Sequence, residues 1–155
     1  MSKVQISRVV PNIKLPATGG KDIDLKSLRG GRVVVYFYPK DSTPGCTSES
    51  CDFKANHLKF RRRNTVVLGI SRDSIASHEK FKAKFGFPFD LLSDADEKAC
   101  RLFDVIKEKN MYGRKLMGIE RSTFLIDEQG KLRHEWRKVK VKGHVEEVLE
   151  AVAGL

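Results

Sequence analysis

The sequence predicts an α/β fold, and three observations carry that reading. Two runs, residues 33–38 (VVVYFY) and 65–71 (TVVLGIS), have the continuous β-branched and aromatic character of strands buried on both faces. Stretches with apolar residues at helical spacing follow each of them, for example Ile75, His78, Phe81 and Phe85. The resulting order after an N-terminal hairpin is β-α-β-α-β-α-β-β-α, which implies a mainly parallel, mixed sheet flanked by helices.

Each element has a local reason. Ile13/Leu15 and Ile23/Leu25 flank Thr18-Gly19-Gly20-Lys21 and read as a small hairpin. Residues 28–32 form a turn into the 33–38 strand, and 39–45 form a loop. A helix is expected over 44–62, with Phe53, His57 and Phe60 on one face. Thr43 supplies a hydroxyl N-cap and Pro44 the first helical position. The strand 65–71 leads to a helix over 74–85 that Gly86 stops, then to a short strand over 89–92. Asp94–Glu97 open a helix carrying Ala99, Cys100 and Phe103, and 107–120 read as a polar loop. Strands at 122–127 and 131–136 flank the Glu128-Gln129-Gly130 turn. A helix over 143–152 closes the chain, with Val145, Val148, Leu149 and Val152 inward.

The 155 residues suit one domain spanning 1–155. The longest apolar run has six residues (33–38), far short of the roughly 20 that a membrane-spanning helix needs. The first 20 residues hold no apolar stretch of secretory length, so a cytoplasmic location is expected. Three cysteines in such a chain point to reduced thiols and transient disulfide chemistry rather than a structural scaffold. The net charge of +10 is spread along the chain, with clusters at Arg61-Arg62-Arg63 and at Arg137, Lys138, Lys140 and Lys142. Neither cluster is interleaved with stacking aromatics, so a solvated basic surface, available for docking an acidic partner, is favoured over specific nucleic-acid binding.

The chemistry concentrates in residues 39–51. Cys46 falls in the first turn of a helix that follows a central strand. Free backbone N–H groups and the positive end of the helix dipole favour a thiolate there, and the thiolate is the nucleophile. Gly45 leaves room for a small substrate, and the Thr43 hydroxyl can donate to an oxygen bound beside the sulfur. Cys51 lies five residues on, a spacing unlike Cys-x-x-Cys; by itself it reads equally as a small buried side chain.

Thr43-Pro44-Gly45-Cys46-Thr47-x-Glu49-x-Cys51, preceded by Tyr38-Pro39, resembles the peroxiredoxins, in particular the bacterioferritin comigratory protein, or peroxiredoxin Q, branch. The likeness continues through Gly118–Asp127 (GIERSTFLID) and Trp136–His144 (WRKVKVKGH). It implies a thioredoxin-like fold and a thiol peroxidase that reduces hydrogen peroxide and organic hydroperoxides. It also implies roles: Cys46 peroxidatic, Cys51 resolving, Thr43 and Pro39 in the pocket, and Arg121 on both thiolate and peroxide. Glu49 is expected to orient Arg121. The likeness implies thioredoxin or a similar dithiol as reductant and requires no cofactor or metal. Resolution within one helix needs no second subunit, so a monomer is expected. Some branch members resolve with a cysteine on the next helix, but residues 74–85 contain none.

If Cys46 and Cys51 share a regular helix, their Cα atoms lie about 8.6 Å apart. A disulfide tolerates roughly 4.4–6.8 Å, so the bond requires the helix to unwind. Cys100 reads as a core thiol. His57 and His78 read as packing residues on helical stripes, His134 and His144 as isolated, and no pair has metal-ligand spacing. Met111, Tyr112, Leu116 and Met117 are candidates for a wall of the site before Arg121. Two rival functions remain at this stage: a protein disulfide reductase on the same fold, and a basic nucleic-acid-binding module with silent cysteines.

Overall fold

In the computed structural model, which describes residues 3–155, the chain forms a seven-stranded mixed sheet with helices on its faces. The N-terminal hairpin is β1 (Lys14–Ala17) and β2 (Lys21–Asp24), followed by one 3₁₀ turn and β3 (Arg32–Phe37). Next come α1 (Pro44–Ala55), α2 (His57–Arg62), β4 (Thr65–Ser71), α3 (Ile75–Phe85) and β5 (Asp90–Ser93). The second half holds α4 (Lys98–Leu102), β6 (Ile106–Met111), β7 (Arg114–Ile119), β8 (Ser122–Ile126), β9 (Leu132–Trp136) and α5 (His144–Ala153). The sheet order is β2-β1-β5-β4-β3-β8-β9, and β6-β7 stand apart as a two-stranded ribbon.

The sheet is mixed, as expected, but parallel pairing is confined to its centre. β3–β4 and β4–β5 are parallel, whereas β1–β2, β1–β5, β3–β8 and β8–β9 are antiparallel. Antiparallel ladders therefore outnumber parallel ones, because both flanks of the sheet are built from hairpins rather than crossovers.

β3 explains its own composition. Val33, Val35 and Phe37 enter one core with Leu68, Phe103 and Phe124, while Val34, Tyr36 and Tyr38 enter the other with Phe53, Phe81 and Val148. Alternate residues of a strand face opposite ways, so a strand buried on both faces must be apolar throughout. Each such side chain contributes about 1.5–3 kcal/mol on burial. The site-bearing helix α1 packs on the second face.

Three local expectations need correction. The helix over 44–62 breaks at Asn56, whose Nδ2 donates to the Asp52 carbonyl at 2.9 Å, a side-chain bond that competes with helix continuation. The 107–120 segment is not a loop but the β6–β7 hairpin, closed by Tyr112 (φ 54°) and Gly113 (φ 75°) between the paired Met111 and Arg114. Two left-handed residues make the tight turn that suits strand twist. The helix expected to open at Asp94 starts at Lys98, with the Asp94 carboxylate accepting from the Ala99 and Cys100 amides at 3.1 and 2.7 Å. By contrast, α3 begins and ends as the sequence implies: Ser74 Oγ accepts from the Ser77 amide, and Gly86 takes φ 65°.

Gly69 marks the tightest point of this core. A Cβ there would sit 2.8 Å from both the Tyr36 ring and Leu91. Gly69→Ala should destabilise the fold by about 1–3 kcal/mol through overpacking. Urea unfolding checks it; an unchanged midpoint would mean that Tyr36 and Leu91 move aside freely.

Candidate active site

The C-terminal end of β3 delivers residues 39–43 to the start of α1. Thr43 takes the extended N-cap conformation before Pro44, but its hydroxyl donates to the Lys40 carbonyl at 2.8 Å instead of capping the helix. The first-turn amides therefore keep no side-chain acceptor. The single Thr43 proton is engaged, so its donation to a bound oxygen requires the hydroxyl to rotate away from Lys40. Pro39 and Thr43 are half-buried beside this turn.

On α1 the buried residues are Cys46, Glu49, Ser50 and Phe53, at helical spacings of i, i+3, i+4 and i+7. Three of the four are polar or nucleophilic, and partners on the sheet explain why they face inward. Arg121, just before β8, donates through Nη2 to Cys46 Sγ at 3.3 Å and through Nη1 to Glu49 Oε1 at 2.7 Å. The Tyr36 hydroxyl and Ser50 Oγ lie 2.8 Å apart. Arg121 is fixed through its own backbone, since its carbonyl accepts from the Val139 amide at 3.0 Å. At Gly45 the structure shows a close approach on the side of Arg121. A Cβ there would lie 3.1 Å from Arg121 Nη2, so the missing side chain admits the guanidinium.

The charges around the sulfur are unequal. Burial pushes the Glu49 carboxyl up to about 7, against the downward pull of the Arg121 charge and hydrogen bond. Glu49 Oε2 has no hydrogen-bond partner among the described residues. A second cation, Lys109 on β6, also feels Arg121 and Cys46; burial and the Arg121 charge hold its ammonium below the usual lysine range. Lys109 carries no signal of this in the sequence, because residues 107–120 read as a polar loop.

The three cysteines occupy separate environments and are all free thiols. Cys46 is 1% exposed, Cys51 is half-buried on the same helix against the second core, and Cys100 is fully buried on α4. Burial and the neighbouring Asp94 charge push the Cys100 thiol well up. Tyr112, Leu116 and Met117 are 99%, 50% and 59% exposed, so they face solvent rather than wall a pocket. The Met111 side chain lies outside the described residues.

Two histidines read as packing or isolated are polar partners. His144 Nε2 lies 2.8 Å from Thr123 Oγ1, and burial, with the Arg121 charge, pushes it down to about 4. His78 bonds Asp41 and the Leu92 carbonyl at 2.7 and 2.9 Å. Asp41, Asp73 and His78 form the one grouping of potential metal-ligand atoms among the described residues. Their polar atoms already bond one another, Ser71, Ser77 and the backbone.

Residues 6–135 match the AhpC/TSA family model. The chain is 53% identical over 141 residues to Peroxiredoxin Bcp of Xanthomonas campestris, covering 91% of this chain and 88% of that one. It is 48% identical over 149 residues to Peroxiredoxin Bcp of Bacillus subtilis, covering 96% and 95%. This chain is a peroxiredoxin of the AhpC/TSA family. Solved structures agree: a Xylella fastidiosa PrxQ mutant superposes with a TM-score of 0.93 at 44% identity, covering 99% of this chain and 98% of that one. The X. campestris bacterioferritin comigratory protein, studied for alkyl peroxide reduction, superposes at 0.90 with 48% identity, covering 99% and 98%. The peroxiredoxin is accordingly a thiol-dependent peroxidase on a thioredoxin-type fold, and no described helix is long and apolar enough to cross a membrane.

Glu49 gives this site a measurable proton. Between about pH 4.5 and 7 the folded peroxiredoxin holds a proton on Glu49 that the unfolded chain releases. That contribution to stability is full below about 4.5 and is lost as the pH rises through about 7. The stability of the native protein minus that of Glu49→Gln should therefore fall over this window, by on the order of 3 kcal/mol. Chemical denaturation of both proteins across the range is the measurement, and a flat difference would remove the buried proton.

Proposed function

We propose that Cys46 is the peroxidatic and Cys51 the resolving cysteine of a monomeric, single-domain, cytoplasmic enzyme that reduces hydrogen peroxide and organic hydroperoxides. The observation that carries this is the 3.3 Å contact of Arg121 with Cys46 Sγ, made by a guanidinium that Glu49 orients at 2.7 Å. A permanently charged planar fork beside the sulfur favours the thiolate and then the polarised oxygen–oxygen bond. The Cys46 thiolate attacks one peroxide oxygen; the S–O bond forms, the O–O bond breaks, and the departing oxygen takes a proton to leave as water or an alcohol. The alkyl peroxide reduction of the X. campestris relative supports the organic substrate.

The Cys46 sulfenic acid then condenses with the Cys51 thiol, releasing water and forming a disulfide. Both cysteines lie on α1, where a regular helix keeps their Cα atoms about 8.6 Å apart, beyond disulfide reach. The turn between them unwinds for the bond to close. Unwinding withdraws Cys46 from Arg121 and presents the disulfide to a dithiol reductant, which we take to be thioredoxin or a protein of its kind. The basic surface suits an acidic reductant.

Cys46→Ser should abolish peroxide turnover, whereas Cys51→Ser should still consume one equivalent and stall as sulfenic acid. Cys100→Ser should retain turnover. Intact mass and free-thiol counts after one equivalent of peroxide distinguish these; a Cys46–Cys100 bond in the native protein would overturn the assignment of Cys51. Arg121→Ala should slow peroxide reduction by about 10²–10³-fold, the loss typical of one preorganised donor at developing charge. A near-native second-order rate constant in stopped flow would take Arg121 out of the reaction.

A further inference from the structure

The unwinding of α1 must stop somewhere, and the residues on either side of it differ in how firmly they are held. On the C-terminal side Phe53 is fully buried, stacks on Tyr36 with centroids 4.5 Å apart, and is followed by Lys54, whose Nζ donates to the Phe85 carbonyl at 2.7 Å. On the N-terminal side the hold is concentrated on Asp41, five residues before Cys46. Its carboxylate accepts from the Tyr38 hydroxyl at 2.6 Å, Ser77 Oγ at 2.8 Å and His78 Nδ1 at 2.7 Å. Its amide donates to Asp73 Oδ2 at 2.9 Å. The next residue, Ser42, is exposed and left-handed, with φ 63°. A fully anchored residue thus abuts a strained, exposed one, which is the anatomy of a hinge.

His78 is the part of this anchor that lies deepest. It is 0% exposed, and its Nε2 faces the Leu92 carbonyl at 2.9 Å. The Leu92 carbonyl and the Asp41 carboxylate both only accept, so both ring nitrogens donate, Nε2 to Leu92 and Nδ1 to Asp41. Burial pushes the Asp41 carboxyl up, but the bonds from His78 and Tyr38 outweigh it and hold it below the usual range. The pair is therefore a buried, charge-assisted link between α3 and the loop leading into α1.

We infer that His78 is a positioning residue of the redox cycle: through Asp41 it fixes the N-terminal hinge about which α1 unwinds and to which Cys46 returns. The inference rests on the Cys46–Cys51 reading. It adds that the folded, peroxide-reactive arrangement is held against the unwound one from α3, outside the helix that moves. Loosening the hinge depletes the folded arrangement and favours the unwound one. The two chemical steps then respond differently: reaction with peroxide slows and disulfide formation does not.

The test uses His78→Asn and His78→Gln in the full chain. Asparagine keeps a donor near the Nδ1 position, facing Asp41; glutamine keeps one near the Nε2 position, facing Leu92. Stopped flow separates the peroxide-dependent oxidation of Cys46 from the peroxide-independent disulfide step. His78→Gln should slow the first about tenfold, as for one lost hydrogen bond to a charged group, and leave the second equal or faster. Amide exchange should quicken over residues 39–45. His78→Asn should recover most of the first rate. Should His78→Gln fail to fold, Ser77→Ala, which removes one bond to Asp41, should show the same split at smaller size. Both phases slowing together, neither changing, or asparagine behaving like glutamine would overturn the inference. A native protein that forms no Cys46–Cys51 bond sinks the underlying reading as well, and mapping that bond first tells the two failures apart.

Discussion

The Arg121 guanidinium ties the start of β8 to α1 through two contacts, one to a carboxylate and one to a sulfur, and much else in the structure serves that tie. Glu49 is wholly buried, and a buried carboxylate without a cation is strongly disfavoured. The pair is weak evidence for stability, because the desolvation of two charges offsets much of their attraction. Its value is geometric: a planar fork already committed to Glu49 points its second arm at one place only, and Cys46 Sγ occupies that place. Gly45 is small because that arm passes over it, and Val139 holds the Arg121 backbone so that the fork starts from a fixed point. Remove the arginine and Glu49 loses its hydrogen-bonded charge partner, the sulfur the cation that bonds it, and the buried face of α1 much of its reason to be buried.

The composition of that face bears on how α1 can move. An ordinary surface helix buries Leu, Ile or Val, each worth about 1.5–3 kcal/mol. The first two turns of α1 bury instead Cys46, Glu49 and Ser50, whose partners are Arg121 and the Tyr36 hydroxyl. Hydrogen bonds of this kind contribute about 0.5–1.5 kcal/mol net, rising to 1.5–3 with a charged partner, because water replaces them on opening. The first turn also has few internal bonds to lose. Apolar anchorage begins only at Phe53, beyond Cys51. A helix that is polar over its first two turns and aromatic beyond them is suited to the local unwinding proposed for it, without loss of the core.

Most of this architecture was legible in the sequence because its signals are local. The 65–71 strand, α3 between Ser74 and Gly86, and the Gly19-Gly20 hairpin follow from composition, a cap and a turn. The sheet's flanks were less legible, since nothing local tells β5 to pair antiparallel with β1. The β6–β7 ribbon was missed because it carries polar side chains on both faces and lacks the alternation that marks a half-buried strand. Within the site, Cys46 is legible from its place at a helix start, whereas Glu49 and Arg121 are legible only through the family motif, not from spacing. Asp41 and His78 were missed for a physical reason: they are 37 residues apart, and a histidine on an apolar stripe looks the same whether it packs or bonds.

The three cysteines show how far environment, rather than residue type, decides chemistry. Cys100 is as buried as Cys46, yet its nearest charge is the Asp94 carboxylate, whose oxygens also take the Ala99 and Cys100 amides. A thiolate there would face a like charge in a dry site, so burial and Asp94 together keep that sulfur protonated. Cys46 sits in an equally dry site with Arg121 Nη2 3.3 Å from its sulfur, a cation where Cys100 has an anion. Cys51 has neither charge beside it in a hydrogen bond; it is half-buried and merely near in sequence. A resolving thiol needs little activation, because the sulfenic acid is the reactive partner, but it does need to arrive. On the resolving role proposed for Cys51, arrival is governed by the backbone of α1, since a regular helix holds it about 140° around from Cys46 and must open before the two sulfurs can meet.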